Sequence, residues 1–300
     1  MVNNKNVLIL HFTVLIWGFT GVLGGLLSIS AIHLVWYRVL IAALSLFIYF
    51  IFTGKSIHVD KEKLIQFFMV GGVVGIHWVL FFHSIKISTV SVTLVTLSSL
   101  TLFTSILEPI INKTKISKAD VGIGLIIILG IYLIFKFEFQ YVWGIVFGLG
   151  AALCASIFSI LNARMVKMTS PTVITFYEML GAFFWVSVIM LLRGDFNAEM
   201  WLTDADWAYI LLLGVVCTAI AYVLGVAVMK ELSAFTVALT TNMEPIYGIL
   251  LAMLIFGQQE TMSLGFYMGA VIILGAVFLY PYVKVKIENR ERKLINRKLH

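Results

Sequence analysis

The chain is written twice. Gly124-Leu125-Ile126-Ile127-Ile128-Leu129-Gly130 recurs as Gly269-Ala270-Val271-Ile272-Ile273-Leu274-Gly275, an offset of 145. Carrying that offset back without a gap pairs Ser88 with Ser233, Val92 with Val237, Leu94 with Leu239 and Thr96 with Thr241. Nearer the start of each half, Tyr37-Arg38-Val39-Leu40 lines up with Tyr177-Glu178-Met179-Leu180 at an offset of 140, the difference falling in a loop. Apolar runs divide the first copy near 7–27, 31–52, 64–85, 88–111 and 119–135, and the second near 142–163, 171–192, 207–229, 233–256 and 263–283. Each run is close to the ~20 residues a helix needs to cross ~30 Å of hydrocarbon. Five is odd, so the second copy must enter the bilayer from the face opposite to the first. The expected fold is an all-α membrane protein, ten transmembrane helices arranged as two inverted five-helix repeats over 1–137 and 138–283. A basic cytoplasmic tail, 284–300, follows them.

Composition fixes the same class independently. With 61% hydrophobic and 12% charged residues and a mean hydropathy of +1.04, the chain has more apolar surface than a soluble domain of its 300 residues could bury. The runs are continuous and do not alternate, which excludes a barrel. No Ala-x-Ala-like site follows the first run, which is longer than a typical signal-peptide core, so it is expected to be a span. Cys154 and Cys217 fall within spans and read as small apolar fillers, not as a disulfide or metal pair.

Charge predicts orientation. With the N-terminus in the cytoplasm, 17 of the 21 basic residues lie inside; Lys86, Lys136 and Arg193 lie outside and Arg38 is intramembrane. That asymmetry predicts cytoplasmic N- and C-termini in the cell inner (plasma) membrane. The net charge of +6 is then a topology signal, and the basic tail is expected beside anionic lipid headgroups with no nucleic acid as partner. No loop is long enough for a soluble domain; the longest external one runs from Arg193 to Asp206. There is no Walker A pattern, no His-Glu-x-x-His, no Gly-x-Ser-x-Gly and no Cys/His cluster, so neither ATP-driven pumping within this chain nor the commoner intramembrane hydrolases have their signatures. No cofactor or metal is implied.

Several strings carry a family resemblance: Trp17-Gly18 in the first span, Tyr37-Arg38 in the second, and Glu244-Pro245-Ile246-Tyr247-Gly248 running to Phe256-Gly257-Gln258-Gln259-Glu260-Thr261 in the ninth. In this order, on ten spans with a five-plus-five duplication, the chain resembles the ten-span EamA type of the drug/metabolite transporter superfamily over nearly its whole length. The resemblance implies export or exchange of small organic solutes, such as amino acids or related metabolites, by alternating access through a central cavity. It also implies that spans 1, 3, 4, 6, 8 and 9 line that cavity. The first half departs from the pattern, with Ser99-Leu100 where the second has Glu244-Pro245 and Lys115 where it has Glu260. The halves are therefore expected to contribute unequally to a site.

Glu244-Pro245 is the sharpest local feature. Glu244 lies 11 residues into a span beginning near Ser233, about 17 Å deep at 1.5 Å per residue. Pro245 removes a backbone donor there and frees a carbonyl one turn back, which is expected to open the helix where transporters commonly bind. A carboxylate at that depth is costly unless paired, hydrated or protonated, so Glu244 is a candidate for binding a substrate amine or a proton. The competing reading is a neutral carboxyl that ties helices together. His77 lies about two-thirds of the way across span 3, its repeat partner is Tyr222, and Trp78 and Phe81 offer stacking surfaces beside it. It reads equally as a cavity group and as a satisfied packing histidine, whereas His11 and His83 read as interfacial. Thr13, Trp17, Thr20 and Gly24 share a face of span 1, Thr96 and Ser99 a face of span 4, and Thr241 and Glu244 the matching face of span 9. Tyr247 joins Trp17, Trp78 and Tyr222 as an aromatic expected to shape the cavity. Arg38 and Glu178 occupy equivalent places but are separated in depth by inversion, so Arg38 is expected to cap carbonyls or to meet lipid or a partner helix near the outer side. Glu108, beside Pro109 and Asn112, is a gate candidate at the inner end of span 4.

The reading reached is a transporter of a small-molecule substrate, with membrane lipid around it and a homodimer left open. An intramembrane enzyme acting on a lipid or small metabolite, which would also need a midplane acid and a histidine, is the alternative. Topology is the most direct check. A cysteine at Asn197 should react with an impermeant thiol reagent added outside intact cells, and one at Ser117 should not; the reverse pattern would overturn the orientation.

Overall fold

The computed structural model describes residues 4–114 and 118–298. Lys115 and Ser117 lie outside the described residues, as do the side chains of Lys284 and of 287–300. Among the described residues the chain forms thirteen α-helices with no strand. The first half holds α1 (Asn4–Leu26), α2 (Ala31–Thr53), α3 (Lys61–Ile87), α4 (Val90–Leu97), α5 (Leu100–Asn112) and α6 (Lys118–Phe137). The second holds α7 (Val142–Met165), α8 (Pro171–Arg193), α9 (Asp204–Gly214), α10 (Ala221–Val228), α11 (Ala234–Thr241), α12 (Glu244–Phe256) and α13 (Leu264–Lys298). Eight helical stretches are long and apolar enough to cross a membrane, and 122–137 in α6 and 264–280 in α13 are shorter apolar helices. Lipid-sized side chains such as Phe52, Leu125, Leu192 and Leu254 stay exposed on the outside of the bundle, as expected where the solvent is hydrocarbon.

The duplication appears in the helix caps. Ser30 caps α2 and Ser170 caps α8, each through its hydroxyl to the backbone N–H three residues on. Gly54 and Gly194 close the same two helices with φ of 62° and 73°, a left-handed conformation that favours glycine. Both pairs stand at the offset of 140.

Among the described residues three spans are interrupted, of which the sequence marked only the ninth, at Glu244-Pro245. The fourth and ninth each split, at Ser98-Ser99 and at Asn242-Met243, and the eighth carries a π-helical segment over Val215–Ile220. Pro245 falls in the first turn of α12, where its missing N–H costs nothing. The matching break in the first half has no proline, which is why the sequence did not announce it. There Thr96 and Ser98 turn their hydroxyls back onto the carbonyls of Val92 and Leu94, and Thr241 does the same to Val237. Asn242 joins the two breaks, its amide donating to the Thr101 hydroxyl at 2.6 Å and to the Ala238 carbonyl at 2.7 Å.

Acids reach from each half to start a broken helix of the other. Glu260 accepts from the backbone N–H groups of Val90 and Ser91, at 2.9 and 2.8 Å, at the head of α4. Glu108 accepts from that of Phe235, at 3.1 Å, at the head of α11. A carboxylate there satisfies donors no helix can satisfy for itself and complements the helix dipole.

Small residues set the packing. A Cβ on Gly71 of α3 would stand 2.2 Å from the Glu178 carbonyl oxygen, and one on Gly181 of α8 would stand 2.3 Å from that of Phe68. Gly72 meets Trp185, and Gly75 meets Ala182 and Val186. Trp36 of α2 bonds Ser187 of α8 while Phe50 meets Phe176, so α2 and α8 run antiparallel, and α3, which turns back from α2 to set Trp78 and Phe82 beside Arg38, runs parallel to α8. The same holds for α1 with α12, where Gly18 meets Tyr247 and Gly25 meets Phe256, and for α4–α5 with α7, where Gly148 meets Thr96 and Thr104 bonds Ser156. By contrast, Gly130 and Gly269 press on each other's carbonyls while Phe137 covers Gly265, so α6 and α13 pack antiparallel. That pair has its own apolar clusters, around Ile134, Phe266 and Ile273 and around Ile127, Val277 and Tyr280, beside the main core.

The crossing of α3 and α8 leaves no room for a methyl group. Gly71→Ala should therefore destabilise the protein by about 1–3 kcal/mol, the usual cost of overpacking, read as a fall in the melting temperature in detergent. Gly275→Ala, with nothing within 4 Å, should be neutral or slightly stabilising.

Candidate functional site

Both helix breaks open onto one cavity of about 80 Å³ in the centre of the bundle. Leu97 and Leu100 bring it the break between α4 and α5, and Thr241 and Glu244 bring the one between α11 and α12. Trp17 and Thr20 come from α1, His77, Trp78 and Phe81 from α3, Phe158, Ser159 and Asn162 from α7, and Tyr222 and Gly225 from α10. Every span the family resemblance implied contributes to the wall, and α2 adds Arg38. Met229, Val237 and Asn162, which lie near the ends of α10 and α7 and the start of α11, carry the cavity toward one face.

Nδ1 of His77 donates to the Ala151 carbonyl at 2.8 Å, which fixes the ring and leaves Nε2 for a second partner. Phe81 stacks on the ring at 6.1 Å, and Phe158 meets it edge-on at 5.3 Å. Trp78 and Tyr222 meet edge-on at 5.8 Å. The Tyr222 hydroxyl accepts from the Asn162 amide at 3.0 Å, and that amide also reaches Glu178 at 3.4 Å. Asn162 Oδ1 and Glu178 Oε1 are buried without a partner, and such groups are costly unless a ligand or water meets them.

Of the residues singled out in the sequence, Glu244, His77, Trp17, Trp78, Tyr222 and Thr241 are brought together at this cavity. Three others are not. Thr96 packs on Gly148, its hydroxyl occupied by Val92, and Ser99 is fully buried at the head of α5. Tyr247 lies three residues beyond Glu244 and is turned onto Gly18, facing a groove lined by Leu8, His11, Phe12 and Leu224. On α1 only Trp17 and Thr20 of the proposed stripe reach the cavity, since Thr13 bonds its own Ile9 carbonyl and Gly24 lies under Phe82.

Arg38 corrects the sequence reading most. Of the roles read for it, it meets partner helices and neither caps carbonyls nor meets lipid, and it is 2% exposed and lines the cavity. Its guanidinium lies 4.1 Å from the centre of the Trp78 ring, and its Nε donates to the Thr218 hydroxyl at 2.5 Å. Thr218 belongs to the π-helical segment and donates in turn to the Leu213 carbonyl, which leaves its oxygen free to accept. The sequence held part of this signal, since Arg38 is a charged residue well inside an apolar run. It could not show the π segment that positions Thr218.

A family model described as the EamA-like transporter family matches residues 4–136 and 142–281. Comparison with curated proteins gives no match. A solved crystal structure, 15% identical, is similar over 93% of this chain and 98% of its own, with a TM-score of 0.69; at that identity the likeness shows the fold alone. The paired five-segment sequence, the all-helical bundle built from two repeats and the two-segment match over nearly the whole chain agree, and the protein is a member of the EamA-like transporter family.

Proposed function

We propose that this protein is a secondary transporter that exports or exchanges a small organic metabolite, such as an amino acid or related compound, by alternating access between two inverted five-span halves. Its membrane is the cell inner (plasma) membrane, with both termini in the cytoplasm. The observation that carries the reading is the central cavity: both halves wall it, both broken helices open onto it, and it combines aromatic faces with Arg38, Glu244, His77 and Asn162. Few, well-placed polar groups on an aromatic wall are what recognition of a small solute needs.

Helix directions support the inversion. α2 and α8 are the second elements of their halves and α3 is a third, and consecutive spans of one half run oppositely across the bilayer. A second element parallel to a third, as α8 is to α3, fits two halves of opposite orientation. Three crossings between them, including the shorter α6, fit the same ten-span count. The acids Glu260 and Glu108, each starting a broken helix of the other half, give the two faces corresponding closures.

In this arrangement the outer closures are made. Asp206 accepts from the Ser28 backbone and hydroxyl at 2.8 and 2.6 Å, Lys86 bonds the Leu27 carbonyl, and Glu260 holds α4. The cavity extends instead toward the ends of α7 and α10, the face carrying most of the basic residues. That supports a state that loads from the cytoplasm.

Glu244 is proposed as the residue that exchanges a proton or a substrate amine. Glu244→Gln keeps the shape and removes the charge, so the variant should fold and lose about tenfold or more of concentrative flux in proteoliposomes, as expected when a charge-assisted bond of about 1.5–3 kcal/mol is removed. Flux near the normal level between pH 6 and 8 would show instead that Glu244 is a neutral interhelical tie.

A further inference from the structure

Arg38 is a buried cation without an anion. Among the described residues its one hydrogen bond is from Nε to Thr218, and Nη1 is buried with no acceptor. The ion pairs among those residues, Lys63–Asp60 and Arg193–Asp195, are both elsewhere. Glu244 lines the same cavity and is near enough to attract the guanidinium, yet forms no ion pair with it. A charge kept at such depth is costly and marks a functional position. It is also held in a fixed pose: Trp78 supports one face at 4.1 Å, Phe82 lies 5.4 Å away, and Thr218 fixes the Nε edge. Arg38 lines the cavity in this pose, and its planar guanidinium has the geometry that suits a carboxylate.

We propose that Arg38 is the anion receptor of the cavity and that the transported solute carries a carboxylate, bound at the Arg38 guanidinium, with any cationic group turned toward Glu244. A phosphate fits less well. It would bring two negative charges to one guanidinium in a small cavity that also holds Glu244. The inference rests on the reading of this cavity as the solute site.

Equilibrium binding to purified protein in lipid nanodiscs, followed by tryptophan fluorescence, tests it. The probes are 4-methylpentanoate and 3-phenylpropanoate, each against its primary amide and its phosphonate counterpart. On at least one scaffold the carboxylate should bind about tenfold or more tightly than the amide and also more tightly than the phosphonate. Arg38→Gln should bring carboxylate and amide to within about twofold of each other. Arg38→Lys, which keeps the charge without the planar fork, should lower the preference by about threefold or more, and this variant decides the matter if the glutamine protein misfolds. The proposal is overturned if no carboxylate outbinds its amide in the unmodified protein, if the phosphonate binds best, or if either folded variant keeps the full preference. Because discrimination is read from binding, a failure of flux in proteoliposomes would count against the transporter reading and not against this one.

Discussion

The bundle depends on the crossing of α3 with α8, where two glycines let helix backbones from opposite halves touch. Glu178 offers its carbonyl to Gly71, and Phe68 offers its own to Gly181. Apolar side chains gain little by leaving lipid for a helix interface, so close van der Waals packing has to hold the halves together. The same crossing orients the site. It sets His77 and Trp78 of α3 on the cavity and buries Glu178 of α8 beside Asn162 and Tyr222.

Broken helices bring the second constraint, because each break frees backbone groups in a medium that cannot bond them. The chain answers at the breaks with Thr and Ser hydroxyls bonded one turn back and with Asn242, and at the far ends of the same broken spans with Glu108 and Glu260. The long-range bonds join opposite halves. They tie the two halves to each other at the ends of the broken spans and at the breaks themselves. Arg38 follows the same economy at the centre, where an indole face and one hydroxyl hold a guanidinium that forms no ion pair among the described residues.

Several features were legible in the sequence because they arise from local chemistry and periodicity. The 145-residue offset and the apolar runs gave the duplication, Glu244-Pro245 marked the break ahead of α12, and the alignment of His77 with Tyr222 put two cavity residues at one level. The first-half break at Ser98-Ser99 was not legible, since hydroxyl-rich helix carries no mark as plain as proline. Tyr247 was misjudged because a spacing of three residues past a break no longer reports one face of one continuous helix. Arg38 was misjudged for a related reason: depth along its own span says nothing about which neighbour it meets.

The sequence alone determined that this chain spans a membrane as two related, helical halves, because hydrophobic run length and internal repetition are properties of the chain itself. Only the tertiary structure decided which polar residues share a cavity. That depends on the parallel contact of α3 with α8 and on the π-helical turn that carries Thr218 to Arg38, and both arise from packing between segments more than a hundred residues apart.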